Sequence, residues 1–420
     1  MSSRERIIVV GGGLAAARAV ESARASGYDG ALVVVTDEPR LPYERPPLSK
    51  GYLLGKDPSS SAYPLDAAWY RTNDVEVRRS TTAEALDVSK RTLLAGGEPL
   101  GYDRLLIATG ASPRRFGGPG AGLRGVRHLR RLPDATALKR ELGGGGSRVV
   151  VAGGGWIGLE VAAAAREYGN DVTVVIRGQV PLAGAIGEKI GRVFLEMHKE
   201  HGVRFVTGAS VTAVRGRGGR VASVVLDTRN EPADELPADL VLFGIGATPN
   251  VGLAASAGLE LAEGGIATDA GFATSADGVY AAGDVAAVWN DRLGHHLRVD
   301  HWANADAGGR AAGRALAGES VHYDEIPYFY TDQYDLGMEY SGYGELAAAD
   351  GVDVVVRGDL AKREFVAFWV ADGAVVAGMN VNVWDVNDDV QRLIRSGAVV
   401  PPQKLADLDI PLAALAGAGE

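Results

Sequence analysis

Ile7-Ile8-Val9-Val10-Gly11-Gly12-Gly13-Leu14-Ala15-Ala16 decides the fold. The β-branched run reads as a buried strand, and the alanine-rich pattern from Leu14 to about Ser26 reads as a helix. Between them lies the spacing G-x-G-x-x-A. Gly11 makes a tight turn, Gly13 lets backbone approach a pyrophosphate, and small Ala16 permits close helix–strand packing. Phosphate over that helix start meets free N–H groups and the positive end of the helix dipole. A second strand, Leu32 to Val35, leads to Asp37 and Glu38, roughly 20 residues past Ala16, where a ribose-binding acid belongs.

The same pattern recurs further along the chain. Val149-Val150-Val151 is followed by Gly153-x-Gly155-x-x-Gly158, a helix from about Ile157 to Tyr168, and a strand from Val172 to Ile176. Here the strand ends in Arg177 rather than an acid. A carboxylate would accept from ribose hydroxyls, whereas an arginine can pair with a 2′-phosphate, so NADPH is expected over NADH. The plainer alternative is a solvated residue at a strand end. Gly143 to Gly146 reads as a flexible lead into this second unit.

Composition narrows the chemistry. The 420 residues are 46% hydrophobic and 23% charged, and the length fits two or three domains. With no cysteine, disulfides, thiolate metal sites and thiol redox cycles are excluded, so a bound cofactor must carry any redox chemistry. A net charge of −10 argues against broad nucleic-acid binding. Met1 to Arg6 is polar, and the apolar stretch Val149 to Ala165 is interrupted by glycines and Glu160. Neither reads as a signal peptide or a membrane span, and a soluble, cytoplasmic protein is expected.

Shorter strands are expected at Leu105 to Ala108, Val203 to Val206, Val221 to Leu226 and Leu240 to Phe243. From about Ile326 alternating runs, Val352 to Val356 and Phe365 to Val370, then Gly373 and Ala374 to Val381, predict an antiparallel sheet in an α+β domain. Residues from about Gln403 to Glu420 read as a poorly ordered tail.

Further motifs appear in order: Pro42-Tyr43-Glu44-Arg45-Pro46-Pro47-Leu48-Ser49-Lys50, Tyr102-Asp103-Arg104-Leu105-Leu106-Ile107-Ala108-Thr109-Gly110, and Val279-Tyr280-Ala281-Ala282-Gly283-Asp284. Asp300-His301-Trp302 and Pro327-Tyr328-Phe329-Tyr330-Thr331-Asp332-Gln333 follow. With both fingerprints, they make the chain resemble the FAD-containing ferredoxin reductases of oxygenase and cytochrome P450 systems, over roughly residues 6–395. The resemblance implies an α/β fold with two Rossmann-like dinucleotide-binding domains, as in glutathione reductase, and a C-terminal α+β domain. It implies an FAD-binding domain at 1–110 and 245–325, an NAD(P)H-binding domain at 111–244 and a C-terminal domain at 326–420. For FAD it points to Gly11, Gly13, Leu14, Ala15, Ala16, Asp37, Glu38, Arg45, Lys50, Ala108, Thr109, Gly110, Gly283, Asp284, Trp302 and Tyr330. For NADPH or NADH it points to Gly153, Gly155, Trp156, Ile157, Gly158, Glu160, Arg177, Gly244, Ile245 and Gly246. Where Tyr330 stands, many relatives carry a tryptophan that is discussed as part of the electron exit.

The resemblance further implies that Lys50 and Glu160 form an ion pair beside the flavin, where hydride arrives from the nicotinamide. Neither charge alone would tolerate burial. Read without it, Lys50 ends a loop and Glu160 bonds within a helix. The implied partner is a 2Fe–2S ferredoxin. Two other readings are a reductase of a quinone or small-molecule radical, and a redox-sensing flavoprotein resembling apoptosis-inducing factor. Seven arginines between Arg104 and Pro133, with no acid, form either a docking face or a solvated face paired elsewhere. His198 and His201 have helical spacing, but a metal site needs more convergent ligands, and none is expected. Trp69, Trp289 and Trp369 read as core or interface, Trp156 as packing beside the nicotinamide, and Trp384 as a cap on the C-terminal domain.

Overall fold

A computed structural model describes residues 5–228 and 234–416. The chain divides into two compact units, each discontinuous in sequence. The first comprises Met1–Pro47, Pro58–Ser112 and Ala247–Glu325; the second comprises Leu48–Asp57, Pro113–Gly246 and Ile326–Glu420.

In the first unit a parallel sheet runs in the order Val279–Ala281, Arg104–Ile107, Arg6–Val10, Ala31–Val35, Val75–Arg78. Ile7 is opposite Leu32 on one side and Arg104 on the other. Ile8, Val9, Leu105, Leu106 and Ile107 are fully buried, as expected of strands covered on both faces. The Leu14–Ala25 helix packs against the Trp302–Leu316 helix. Small residues make that approach close: a Cβ on Gly309 would lie 2.7 Å from the Ala15 carbonyl oxygen, and one on Gly313 2.3 Å from that of Ala19.

The second unit repeats the plan, with a parallel sheet in the order Arg204–Val206, Asp171–Val175, Arg148–Ala152, Leu240–Phe243, Val126–Arg127. The Trp156–Glu167 helix follows its first glycine turn. An antiparallel sheet, Tyr328–Gln333, Leu336–Gly342, Ala374–Val381, Glu364–Ala371 and Asp353–Asp359, completes the unit. One core joins the two parts: Ile190, Phe194 and Met197 of the Ala183–Glu200 helix pack with Met338, Phe365 and Met379 of that sheet.

Two sequence expectations are corrected. Residues 143–146 form a hydrogen-bonded turn rather than a flexible lead: the Gly145 N–H donates to the Leu142 carbonyl, and Gly146 to that of Gly169. The stretch from Gln403 is ordered as far as it is described, with helices at Pro402–Ala406 and Leu412–Leu415; residues 417–420 lie outside the described residues. Its leucines are too sparse to show a period, yet Leu405 is fully buried. Arg357 holds the segment by donating to the carbonyl oxygens of Asp407, Leu408 and Ile410. Of the tryptophans, Trp369 is core, Trp69 is half-buried against the first unit's core, and Trp289 is exposed, outside the core. Trp384 is 54% exposed and lies over Gly337.

Gly313→Ala is expected to destabilise the protein by about 1–3 kcal/mol, because the new methyl would press on the Ala19 carbonyl and the Ser22 Cβ, neither of which can swing aside. Gly252→Ala, whose Cβ would meet nothing within 4 Å, is the matched control and should be near neutral. Chemical denaturation of the two variants measures the difference.

Candidate functional site

Within the first unit the turn after Arg6–Val10 is fixed by glycine chemistry. Gly11 has φ +153° and passes so close to the neighbouring strand end that a Cβ would lie 2.1 Å from the Ala108 carbonyl oxygen. Gly12 abuts Thr36, where a Cβ would lie 2.4 Å from Oγ1. Gly13 differs: it caps the helix in extended conformation, and a Cβ there would meet nothing within 4 Å. The space beside the helix start at Gly13 is therefore clear of side chain, as a phosphate cradle requires. Leu14, Ala15 and Ala16 are buried in the first helical turn, and a Cβ on Gly283, at φ +77°, would lie 3.0 Å from the Ala15 Cβ. Asp284 beside it is buried.

Around this turn the structure brings together several further residues expected from sequence. Glu38 is buried and accepts from the Tyr43 hydroxyl at 2.6 Å and from Arg45 at 2.9 Å. Arg45 also stacks 4.1 Å over the Tyr43 ring, and its Nη1 is buried with no hydrogen-bond partner among the described residues. Asp37, by contrast, is exposed. Thr109 and Gly110 are tied to Asn250: Thr109 Oγ1 donates to its carbonyl at 2.9 Å, the Asn250 amide returns a bond of 2.8 Å, and its N–H reaches the Gly110 carbonyl. Trp302 opens its helix and donates to Glu44 at 3.0 Å. Burial raises the Glu44 pKa, opposed by that hydrogen bond. The open cradle at Gly13 and the orphaned Arg45 nitrogen fit an anionic nucleotide such as FAD.

In the second unit the other turn has the same build. Gly153 has φ +118°, and its Cβ would lie 2.2 Å from the Gly244 carbonyl; Gly155 caps its helix over open space. A Cβ on Gly158 would meet the Gly153 carbonyl at 2.4 Å, which explains a glycine rather than an alanine here. Ile157 and Ile245 are 44% and 38% exposed, apolar surface beside this turn. Gly246, at φ +102°, accepts from the Arg114 N–H. Trp156 packs on Phe194 and Phe329. Arg177 is exposed, two residues past its strand.

The same unit assembles Lys50, Glu160 and Tyr330. Glu160, on the fingerprint helix, is 6% exposed and accepts from Lys50 Nζ, from Ser49 Oγ at 2.5 Å and from Thr331 Oγ1 at 2.6 Å. Lys50 Nζ lies 5.2 Å from the Tyr330 ring centroid, within cation–π range. Sequence reasoning missed Ser49 and Thr331 as partners. Ser49 had a signal, being next to Lys50 in a quoted motif; Thr331 had none beyond following Tyr330.

The arginine-rich stretch is partly paired. Arg127 bonds both carboxylate oxygens of Glu141 in the second unit, and in the first Arg104 donates to the Leu316 carbonyl at 2.6 Å. Among the described residues no group of three or more histidines and acids could hold a metal, and no helix is long and apolar enough to cross a membrane.

A family model described as pyridine nucleotide-disulphide oxidoreductase matches residues 5–309, and one described as reductase C-terminal matches residues 328–416. The chain is 39% identical to the anthranilate 1,2-dioxygenase system ferredoxin–NAD(+) reductase component of Burkholderia cepacia, across 98% of this chain and 99% of that one. A solved ferredoxin reductase for the CYP199A2 system from Rhodopseudomonas palustris is 33% identical, with a TM-score of 0.91 over 98% of this chain and all of that one. A covalent putidaredoxin reductase–putidaredoxin complex gives a TM-score of 0.92 at 31% identity, covering 100% of this chain and 99% of that one.

The raised Glu44 pKa has a definite linkage sign. A carboxyl that holds its proton more tightly when folded opposes folding once ionised, so its penalty grows as pH rises above the ordinary value of 4.5. Glu44→Gln, which can still accept from Trp302, is expected to raise stability at neutral pH and to change little below about pH 4. Denaturation midpoints at both pH values check this; an equal effect at both would sink it.

Proposed function

Because the chain belongs to the pyridine nucleotide-disulphide oxidoreductase family and carries a reductase C-terminal domain, we propose that it is an FAD-containing ferredoxin reductase. It takes electrons from NAD(P)H and delivers them to a 2Fe–2S ferredoxin serving an oxygenase or cytochrome P450, in the cytoplasm. The observation that carries this reading is the pairing of Lys50 with Glu160 in a chain without cysteine. No thiol relay is available, and the charged group offered to the chemistry is an ammonium. The name of the Burkholderia relative, and the putidaredoxin bound in the covalent complex, support the same kind of acceptor.

In this reading the Gly11–Ala16 turn, Arg45, Thr109, Asp284 and Trp302 hold FAD, and the Gly153–Gly158 turn holds the nicotinamide nucleotide. Residues 1–110 and 245–325 then form the FAD domain, 111–244 the nicotinamide domain and 326–420 the C-terminal domain. When bound, FAD supplies the exchange between a two-electron donor and a one-electron acceptor. The protein's part is orientation and charge. Lys50 presents a positive charge, and Glu160 fixes its position while preventing an unpaired buried ammonium. Ser49 and Thr331 in turn hold the carboxylate. Tyr330 gives Lys50 an aromatic face.

The nicotinamide preference rests on Arg177, whose exposed guanidinium suits a 2′-phosphate and favours NADPH. The Burkholderia relative is named for NAD(+), so the preference is the sharpest point to test. Steady-state turnover with NADPH and NADH decides it, and Arg177→Ala should erase a preference for NADPH. Ferredoxin-dependent cytochrome c reduction tests the acceptor; direct quinone turnover without ferredoxin would favour a different reductase.

Gly13→Val and Gly155→Val separate the two cradles, because each new side chain enters space that the fold leaves open. Gly13→Val is expected to purify with its flavin absorbance largely lost. Gly155→Val should keep the flavin but bind NAD(P)H about tenfold or more weakly, the effect of an overpacking cost of about 1–3 kcal/mol.

A further inference from the structure

Behind Glu160 and the Thr331 hydroxyl that holds it lie two further buried polar side chains, Gln333 and His198, that the proposed chemistry does not use. Thr331 Oγ1, which donates to Glu160, accepts from Gln333 Nε2 at 3.1 Å, and Gln333 Oε1 lies 2.8 Å from His198 Nε2. Thr331, Gln333 and His198 are 1%, 2% and 0% exposed, so none of these bonds competes with water. Thr331 and Gln333 alternate along one strand and so share a face. His198 reaches them from the Ala183–Glu200 helix, with its ring against Phe205 and Tyr334.

The proton inventory of this line has one solution. A carboxylate can only accept, so the Thr331 hydroxyl must donate to it. Its remaining lone pairs then take the Gln333 amide, which turns the Gln333 carbonyl toward His198. His198 must therefore carry its proton on Nε2, leaving Nδ1 bare, and Nδ1 is buried with no partner among the described residues. Burial also depresses the His198 pKa to about 4, so the ring is neutral across the physiological range. Every donor along the line points toward Glu160. Apolar side chains could fill the same space without these obligations, as their neighbours Leu336, Met338 and Met197 do.

We propose that His198 is a positioning residue for the Lys50–Glu160 pair, acting through Gln333 and Thr331. The line fixes the orientation of the carboxylate, and the carboxylate fixes the ammonium of Lys50. The inference rests on the reading that this pair serves flavin reduction.

Its test separates the two. In the holoenzyme, ¹⁵N-histidine NMR at neutral pH is expected to show His198 as the neutral Nε2–H tautomer. An Nδ1–H or cationic ring would overturn the line whatever the enzyme does. Thr331→Val removes one hydroxyl at constant shape. It should lower the limiting rate of flavin reduction in stopped flow about tenfold, with little change in NAD(P)H affinity, while Thr331→Ser restores most of the rate. His198→Phe should slow reduction in the wild-type background and have no further effect on top of Thr331→Val. Equal losses in both backgrounds would show that His198 acts only through packing and would overturn the proposal. Should NAD(P)H fail to reduce the wild-type flavin, the functional reading falls, while the tautomer still reports on the line itself.

Discussion

Both glycine turns depend on one steric constraint: the backbone must pass against the end of a neighbouring strand with no room for a Cβ. At Gly11 that atom would lie 2.1 Å from a carbonyl oxygen and at Gly153 2.2 Å. From this close passage follow the aim of each helix start, the clear space at its capping glycine and the need for small residues one turn later. The strands feeding the turns are buried on both faces, which makes them continuous apolar runs. A parallel sheet, a glycine turn and a helix start clear of side chain at its capping glycine are thus one arrangement, repeated in two units.

The second organising element is the satisfaction of buried carboxylates. Glu38 and Glu160 occupy different units and meet burial in the same manner, each with a cation and at least one hydroxyl donor. Removing one partner would leave a charge in a low-dielectric setting, where it is strongly destabilising. Such sites are consequently stiff. Stiffness is useful where a charge has to be presented at one place, and it gives Lys50 a defined position despite its flexible stem.

How much of this was legible in the sequence depends on range. The turns are encoded locally, by glycine spacing between a β-branched run and an alanine-rich helix, so both were legible as strand, turn and helix. The Lys50–Glu160 pair spans 110 residues and was legible only through family resemblance. Thr331, Gln333 and His198 were not legible as a set. In sequence, alternating polar residues on a strand read as its solvent face, and a histidine near a helix end reads as solvated. Only the sheet packing against the Ala183–Glu200 helix turns these positions inward. The ordered segment after Gln403 was hidden for a related reason: its fixed point is Arg357, some 50 residues away and indistinguishable in sequence from a surface arginine.

The neutrality of His198 has a consequence for ionic strength. Exposed pairs such as Arg148–Asp239, with side chains nearly half open to solvent, weaken as salt shortens the range of charge interactions. The Lys50–Glu160 pair is shielded, at 15% and 5%, and the line behind it consists of dipoles that a counterion atmosphere cannot reach. Salt therefore acts on the outside of this molecule before its interior, and steps governed by the two can be told apart by ionic strength alone.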